Sequence, residues 1–129
     1  MRSACYVMAA AAMMAAGPPA GKAEPLRLAK GLEPGEWELR ERGAEARRLC
    51  LSDLRQLLQV RHMSRNCKSF TVSDTPNRVV VTYDCGGAGS GRTDLRVETS
   101  RLVQVQSQGI ADGGPFDFAA EGRWVGACR

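Results

Sequence analysis

The stretch Cys67-Lys68-Ser69-Phe70-Thr71-Val72-Ser73-Asp74-Thr75-Pro76-Asn77-Arg78-Val79-Val80-Val81-Thr82-Tyr83-Asp84-Cys85 decides the fold. Lys68–Ser73 and Arg78–Asp84 are rich in Val, Thr and aromatic residues, and Asp74-Thr75-Pro76-Asn77 between them has turn chemistry. With Thr75, Pro76 and Asn77 as the loop, opposed residue numbers sum to 152 and Cys67 faces Cys85. Opposed Cβ atoms on antiparallel strands lie about 4.5–5.5 Å apart, close to what a disulfide tolerates. The register therefore pairs Cys67 with Cys85 and leaves Cys50 for Cys128, the favoured one of the three connectivities that four cysteines allow.

The fifth cysteine, Cys5, sits in a different kind of segment. Arg2 gives a short positive start, Ala4 to Ala16 is an uncharged run of 13 residues, and Gly17-Pro18-Pro19 ends it. Gly21-Lys22-Ala23 places small residues at −3 and −1 of a cut after Ala23. This is the layout of a secretory signal, and 13 residues fall short of the roughly 20 that span a bilayer. The expectation is a chain exported to the periplasm or beyond, cleaved near Ala23, with an irregular lead-in over 24–33 and one domain over 34–129. An oxidising compartment agrees with four cysteines in 106 remaining residues. A domain of that size buries a modest fraction of its surface, so staples matter.

After cleavage the formal charge falls from +4 to +2, which gives no ground for nucleic acid as a partner. The charge is uneven, however. Between Arg40 and Lys68 the basic residues outnumber the acidic ones, and Arg47, Arg48, Arg55, Arg61, Arg65 and Lys68 could face an anionic surface. A solvated face accounts for them at least as well.

Working outward from the hairpin, Gly35–Glu41 alternates, with Trp37 and Leu39 on one side and Glu36, Glu38 and Arg40 on the other. Thr93–Glu98 and Leu102–Ser107 alternate around Thr99-Ser100, and Phe116–Val125 makes a last strand. Gly43–Arg48 reads as a polar turn, Gly86–Gly91 as a flexible link and Ala111–Pro115 as a loop. Cys50–His62 is the one helix candidate: Ser52 can cap it, and Leu54, Leu57 and Leu58 fall on one face. The fold expected is mainly β, a meandering antiparallel sheet or partial barrel of about six strands with one short helix and two disulfides.

No catalytic constellation emerges. His62, the single histidine, stands between Arg61 and Arg65 at the helix end and reads as a C-terminal helix cation. The cysteines lack zinc-ligand spacing, and the glycines of 86–91 lack the Lys-Ser/Thr ending of a phosphate loop. No cofactor or metal is expected. Trp37, Phe70, Tyr83, Phe116, Phe118 and Trp124 could line an apolar ligand cavity, although a small core would use the same residues.

Strung together, the landmarks are Pro34-Gly35-Glu36-Trp37-Glu38, Cys50-Leu51-Ser52, Cys67, Cys85-Gly86-Gly87, Gly89-Ser90-Gly91 and Gly122-Arg123-Trp124-Val125-Gly126-Ala127-Cys128. Over 32–128 the chain resembles a bacterial family of small exported proteins known as domain of unknown function 3617. The resemblance implies an envelope location and no established activity; this chain is shorter than the usual form ahead of Cys50.

The functional expectation is a non-enzymatic binding domain, monomeric, for an envelope component (lipid, glycan or protein) or an apolar ligand. The alternative is a protein-interaction module or hydrolase inhibitor working through the 86–91 and 111–115 loops.

Overall fold

The computed structural model describes residues 31–129, so the signal segment and most of the lead-in lie outside the described residues. Seven strands form one antiparallel sheet: β1 (Gly35–Glu41), β2 (Arg47–Leu51), β3 (Lys68–Thr75), β4 (Arg78–Asp84), β5 (Gly89–Thr99), β6 (Leu102–Ala111) and β7 (Gly114–Gly126). Their order is β2-β1-β7-β6-β5-β4-β3. The last five strands are a simple meander, β1 docks beside β7, and β2 and β3 end the sheet at opposite edges. The sheet is open, not a barrel.

Alternation builds the core. Trp37 and Leu39 on β1, Val79, Val81 and Tyr83 on β4, Leu95 on β5, Val103 and Val105 on β6, and Phe118 and Ala120 on β7 are all buried. The opposite face carries polar residues that pair with one another, across strands at Arg78–Asp94 and along a single strand at Arg40–Glu38 and Arg123–Glu121. The guanidinium of Arg78 holds the Asp94 carboxyl below its ordinary range, against the opposing effect of partial burial. On the core side, Leu57, Leu58 and Val60 from the segment between β2 and β3 close over the sheet.

That segment is not the expected helix over Cys50–His62. Cys50 and Leu51 belong to β2, and two short 3₁₀ helices follow, Leu54–Leu58 and Val60–His62. Asp53 caps the first by accepting from the Arg55 amide at 2.9 Å. The i→i+3 bonds Gln56→Asp53, Gln59→Gln56 and His62→Gln59 hold the chain tightly wound. The cause is reach: Cys50 on β2 is tied to Cys128 and Cys67 ahead of β3 to Cys85, at opposite edges of the sheet. The intervening chain must therefore span the core face, and 3₁₀ turns at about 2.0 Å per residue reach further than an α-helix at about 1.5 Å. The strand β2 was also unexpected. It pairs Leu49 with Trp37 and Leu51 with Gly35, while Cys50 faces Glu36.

Both disulfides are those the sequence favoured, Cys50–Cys128 and Cys67–Cys85. The hairpin keeps the expected register from Lys68↔Asp84 to Thr71↔Val81, then slips by one at Val72, leaving a two-residue Pro76-Asn77 turn. The supposed flexible link is ordered as well. Gly86–Ala88 is a 3₁₀ turn and Gly89 opens β5. Gly91 lies under the Tyr83 ring, where a Cβ would sit 2.5 Å from the phenol oxygen. The 111–115 loop reduces to Asp112-Gly113, with φ of 54° and 77°, the left-handed pair that closes a two-residue hairpin.

The two landmark motifs at either end of the chain meet in one corner. Trp37 is paired with Trp124 across β1 and β7. Gly35 has φ of 144°, and a Cβ there would lie 2.4 Å from the Gly126 carbonyl and 2.6 Å from the Trp124 ring nitrogen. Only glycine lets the first strand enter against the last.

Candidate functional site

The aromatic set divides between core and edge. Trp37, Tyr83 and Phe118 are buried, and Phe116 and Trp124 pack against the same cluster. They fill the interior, and Tyr83 also reaches the floor of a groove beneath β3. Phe70 alone stands out, 69% exposed on β3.

The basic set is split by topology. Arg47 and Arg48 are on β2 and Lys68 on β3, at opposite edges of the sheet. Arg48 pairs with Glu36 and Glu38, Arg55 with Asp53, and Arg61 with Glu41 while its guanidinium lies 4.5 Å above the Phe118 ring. Such exposed pairs contribute little to stability, yet they neutralise the charge that an anionic surface would need. Arg47, Arg65 and Lys68 remain exposed, with no ion pair among the described residues, the first at the β2 edge and the other two beside β3.

His62 departs furthest from expectation. It is 4% exposed, because the short 3₁₀ helix turns it inward. Its Nε2 lies 3.0 Å from the Ala88 carbonyl, which can only accept, so Nε2 carries a proton; Nδ1 lies 2.9 Å from the Tyr83 hydroxyl and accepts from it in the neutral ring. Burial pushes the Tyr83 phenol above its ordinary value, partly offset by a hydrogen bond with the Ser107 hydroxyl. Ser107 in turn sits 2.8 Å from the Thr93 hydroxyl, both fully enclosed. This chain of hydroxyls ties the covering segment to β4, β5 and β6. It contains no carboxylate and is closed to substrate. Among the described residues no group of three or more His, Cys, Asp or Glu is placed to hold a metal.

What the topology does assemble is a groove of about 410 Å³ beneath β3. One wall is β3 and β4: Ser69 and Thr71 face inward, opposite Tyr83 and Val81. The other wall is the covering segment, with Gln56, Gln59, Arg65 and Asn66. Gln59 is fixed by donating to the His62 and Arg65 carbonyls at 2.9 and 3.0 Å. The Gln56 amide oxygen is shut from water and takes no hydrogen bond from any described residue. The Cys67–Cys85 disulfide pins the mouth at one end of the hairpin. Sequence reasoning found Arg55, Arg65, Lys68 and Phe70 in this region but not the groove, since its walls join residues that only the crossing of the sheet between β2 and β3 brings together.

The described residues contain no helix long and apolar enough to cross a membrane, and the two disulfides are consistent with an oxidising compartment. Searches of curated proteins and of solved structures found no match. One family model matches residues 32–128, described as Protein of unknown function (DUF3617). The chain belongs to that family.

Proposed function

We propose that this protein is an exported, non-enzymatic binding domain that contacts an envelope component through the groove beneath β3. The observation that carries the reading is the edge itself: a groove with hydrogen-bonding walls, and with Arg65 at its rim, runs beneath the last strand of the sheet. Hollows elsewhere, of about 550 and 930 Å³, are more open to solvent. The outer sheet face is largely self-neutralised by pairs along and across strands, and the 86–88 and 112–113 connections are too short to insert into an enzyme cleft. The buried His62–Tyr83 pair is structural, holding one groove wall against the other. Export to the periplasm, expected from the first 23 residues, supplies the setting.

Native mass spectrometry of protein purified undenatured from the envelope tests this. The expected result is a mass excess, released on collisional activation and lost when Ser69 and Thr71 are both replaced by Arg to fill the groove. A clean apo mass, with no partner crosslinked to the β3 edge in the cell, would overturn it.

A further inference from the structure

Resting on the reading of the groove as the binding site, we propose that its ligand is an extended segment of another polypeptide, added to the sheet as an eighth strand along Lys68–Thr71. The two edges of the sheet differ in a way that points there. The β2 edge is five residues long, carries Arg47 and Arg48, and is tied by Cys50–Cys128. The β3 edge is eight residues long and mostly exposed, and nothing among the described residues pairs with its far side. An edge strand leaves alternate N–H and C=O groups unmatched, which is a template for another strand. The bulge at Val72 breaks that template, so regular pairing is confined to the four residues before it.

The groove lies where such a strand would send its side chains. Successive residues of a strand point to opposite faces. Added beside β3, alternate residues would enter the space bounded by Ser69, Thr71, Gln56 and Asn66. The residues between them would lie next to Phe70, 69% exposed, and Val72, 47% exposed. Both faces of the incoming strand therefore meet a prepared surface.

The chemistry of the walls argues against an acyl chain. The apolar floor residues Leu58, Val81 and Tyr83 are only 5%, 2% and 4% exposed. Beside the partly exposed Met63 and Cys67 the remaining wall residues are polar, a mixed lining that suits a peptide better than a bare acyl chain. What the groove presents is amide, hydroxyl and guanidinium together with the Asp53 carboxylate, which is paired with Arg55, and these match a ligand rich in hydrogen-bonding groups. Arg65 at its rim, exposed and without an ion pair among the described residues, favours a carboxylate on that ligand.

The test uses a capped copy of β4, Arg78–Asp84, the strand that already pairs with β3 on its inner side. It is titrated into the disulfide-intact protein and followed by amide NMR shifts and hydrogen exchange. The expected response is confined to Lys68–Thr71 and the facing wall, with exchange of the outward β3 amides slowed by about tenfold or more. Two peptides methylated on alternate sets of backbone nitrogens decide the mode. One set faces β3 and the other faces away, so one peptide loses binding by about tenfold or more while the other keeps it. Phe70→Lys, at an exposed position that leaves folding intact, weakens the unmodified peptide.

Equal binding of both methylated peptides would overturn strand addition. So would a response of the groove to octyl glucoside with none to the peptide, and that result would leave the groove reading standing. Silence towards both probes would overturn the groove reading as well.

Discussion

Trp37 on β1 and Trp124 on β7 stand across from one another, and their ring nitrogens donate to consecutive carbonyls upstream of β1, Glu33 at 2.8 Å and Pro34 at 3.1 Å. Trp124 also carries the Arg101 guanidinium 4.3 Å above its ring. The two most recognisable motifs of the chain are thus halves of a single latch that joins the first strand to the last. Their joint presence reports on folding, not on ligand binding.

The latch makes Gly35→Ala destabilising. The added Cβ meets backbone at Gly126, and the positive φ strains any other residue. A loss of about 2 kcal/mol or more is expected in urea unfolding; an unchanged midpoint would refute the account of the motif. Trp37→Ala, at a fully buried position, should lose about 3–5 kcal/mol.

Removing each disulfide should cost in proportion to the loop it closes. The sequence separations are 18 for Cys67–Cys85 and 78 for Cys50–Cys128, which on the chain-entropy model correspond to roughly 3 and 4.5 kcal/mol. Paired Cys→Ser variants measured by denaturant unfolding check the order. A greater loss for the shorter loop would show that groove geometry, not loop closure, dominates.

Tyr83→Phe leaves the buried Nδ1 of His62 without its donor. The expected cost is about 1–3 kcal/mol, and the Nδ1 resonance, read by nitrogen NMR, should shift as its hydrogen bond is lost while the Ala88 carbonyl keeps the proton on Nε2. An unaltered His62 signal would mean that the pair is not formed in solution.

The Arg78–Asp94 pair, with Nε to Oδ1 at 2.9 Å, gives a small pH dependence of known sign. The Asp94 carboxyl is held below its ordinary value by the hydrogen bond from Arg78. Its contribution is therefore complete above the unfolded value of about 3.9 and disappears as pH falls through the lower folded value. Asp94→Asn should cost about 0.2–1 kcal/mol at neutral pH, since the pair is solvent-facing, and the difference from the parent should vanish in strong acid. A difference growing towards low pH would have the wrong sign.

Much of this architecture was legible in the chain. Alternation over Gly35–Glu41 and the cysteine-flanked hairpin gave the strands and the disulfides, because period and register are local properties. The covering segment was not legible. Leu54, Leu57 and Leu58 suit an α-helix and a 3₁₀ turn alike, and the tethers that choose between them act from Cys128 and Cys85. β2 was hidden because an edge strand may carry two arginines without cost, and His62 because its partners Tyr83 and Ala88 are 21 and 26 residues away. Only part of the groove rim was visible for the same reason.

The most direct test of the central claim is site-specific photocrosslinking in the intact envelope, with a benzophenone side chain placed at Phe70 on the β3 edge or at Arg123 on the outer sheet face. The account predicts a defined adduct from position 70 and none from 123. Equal labelling from both sites, or labelling from 123 alone, would contradict it.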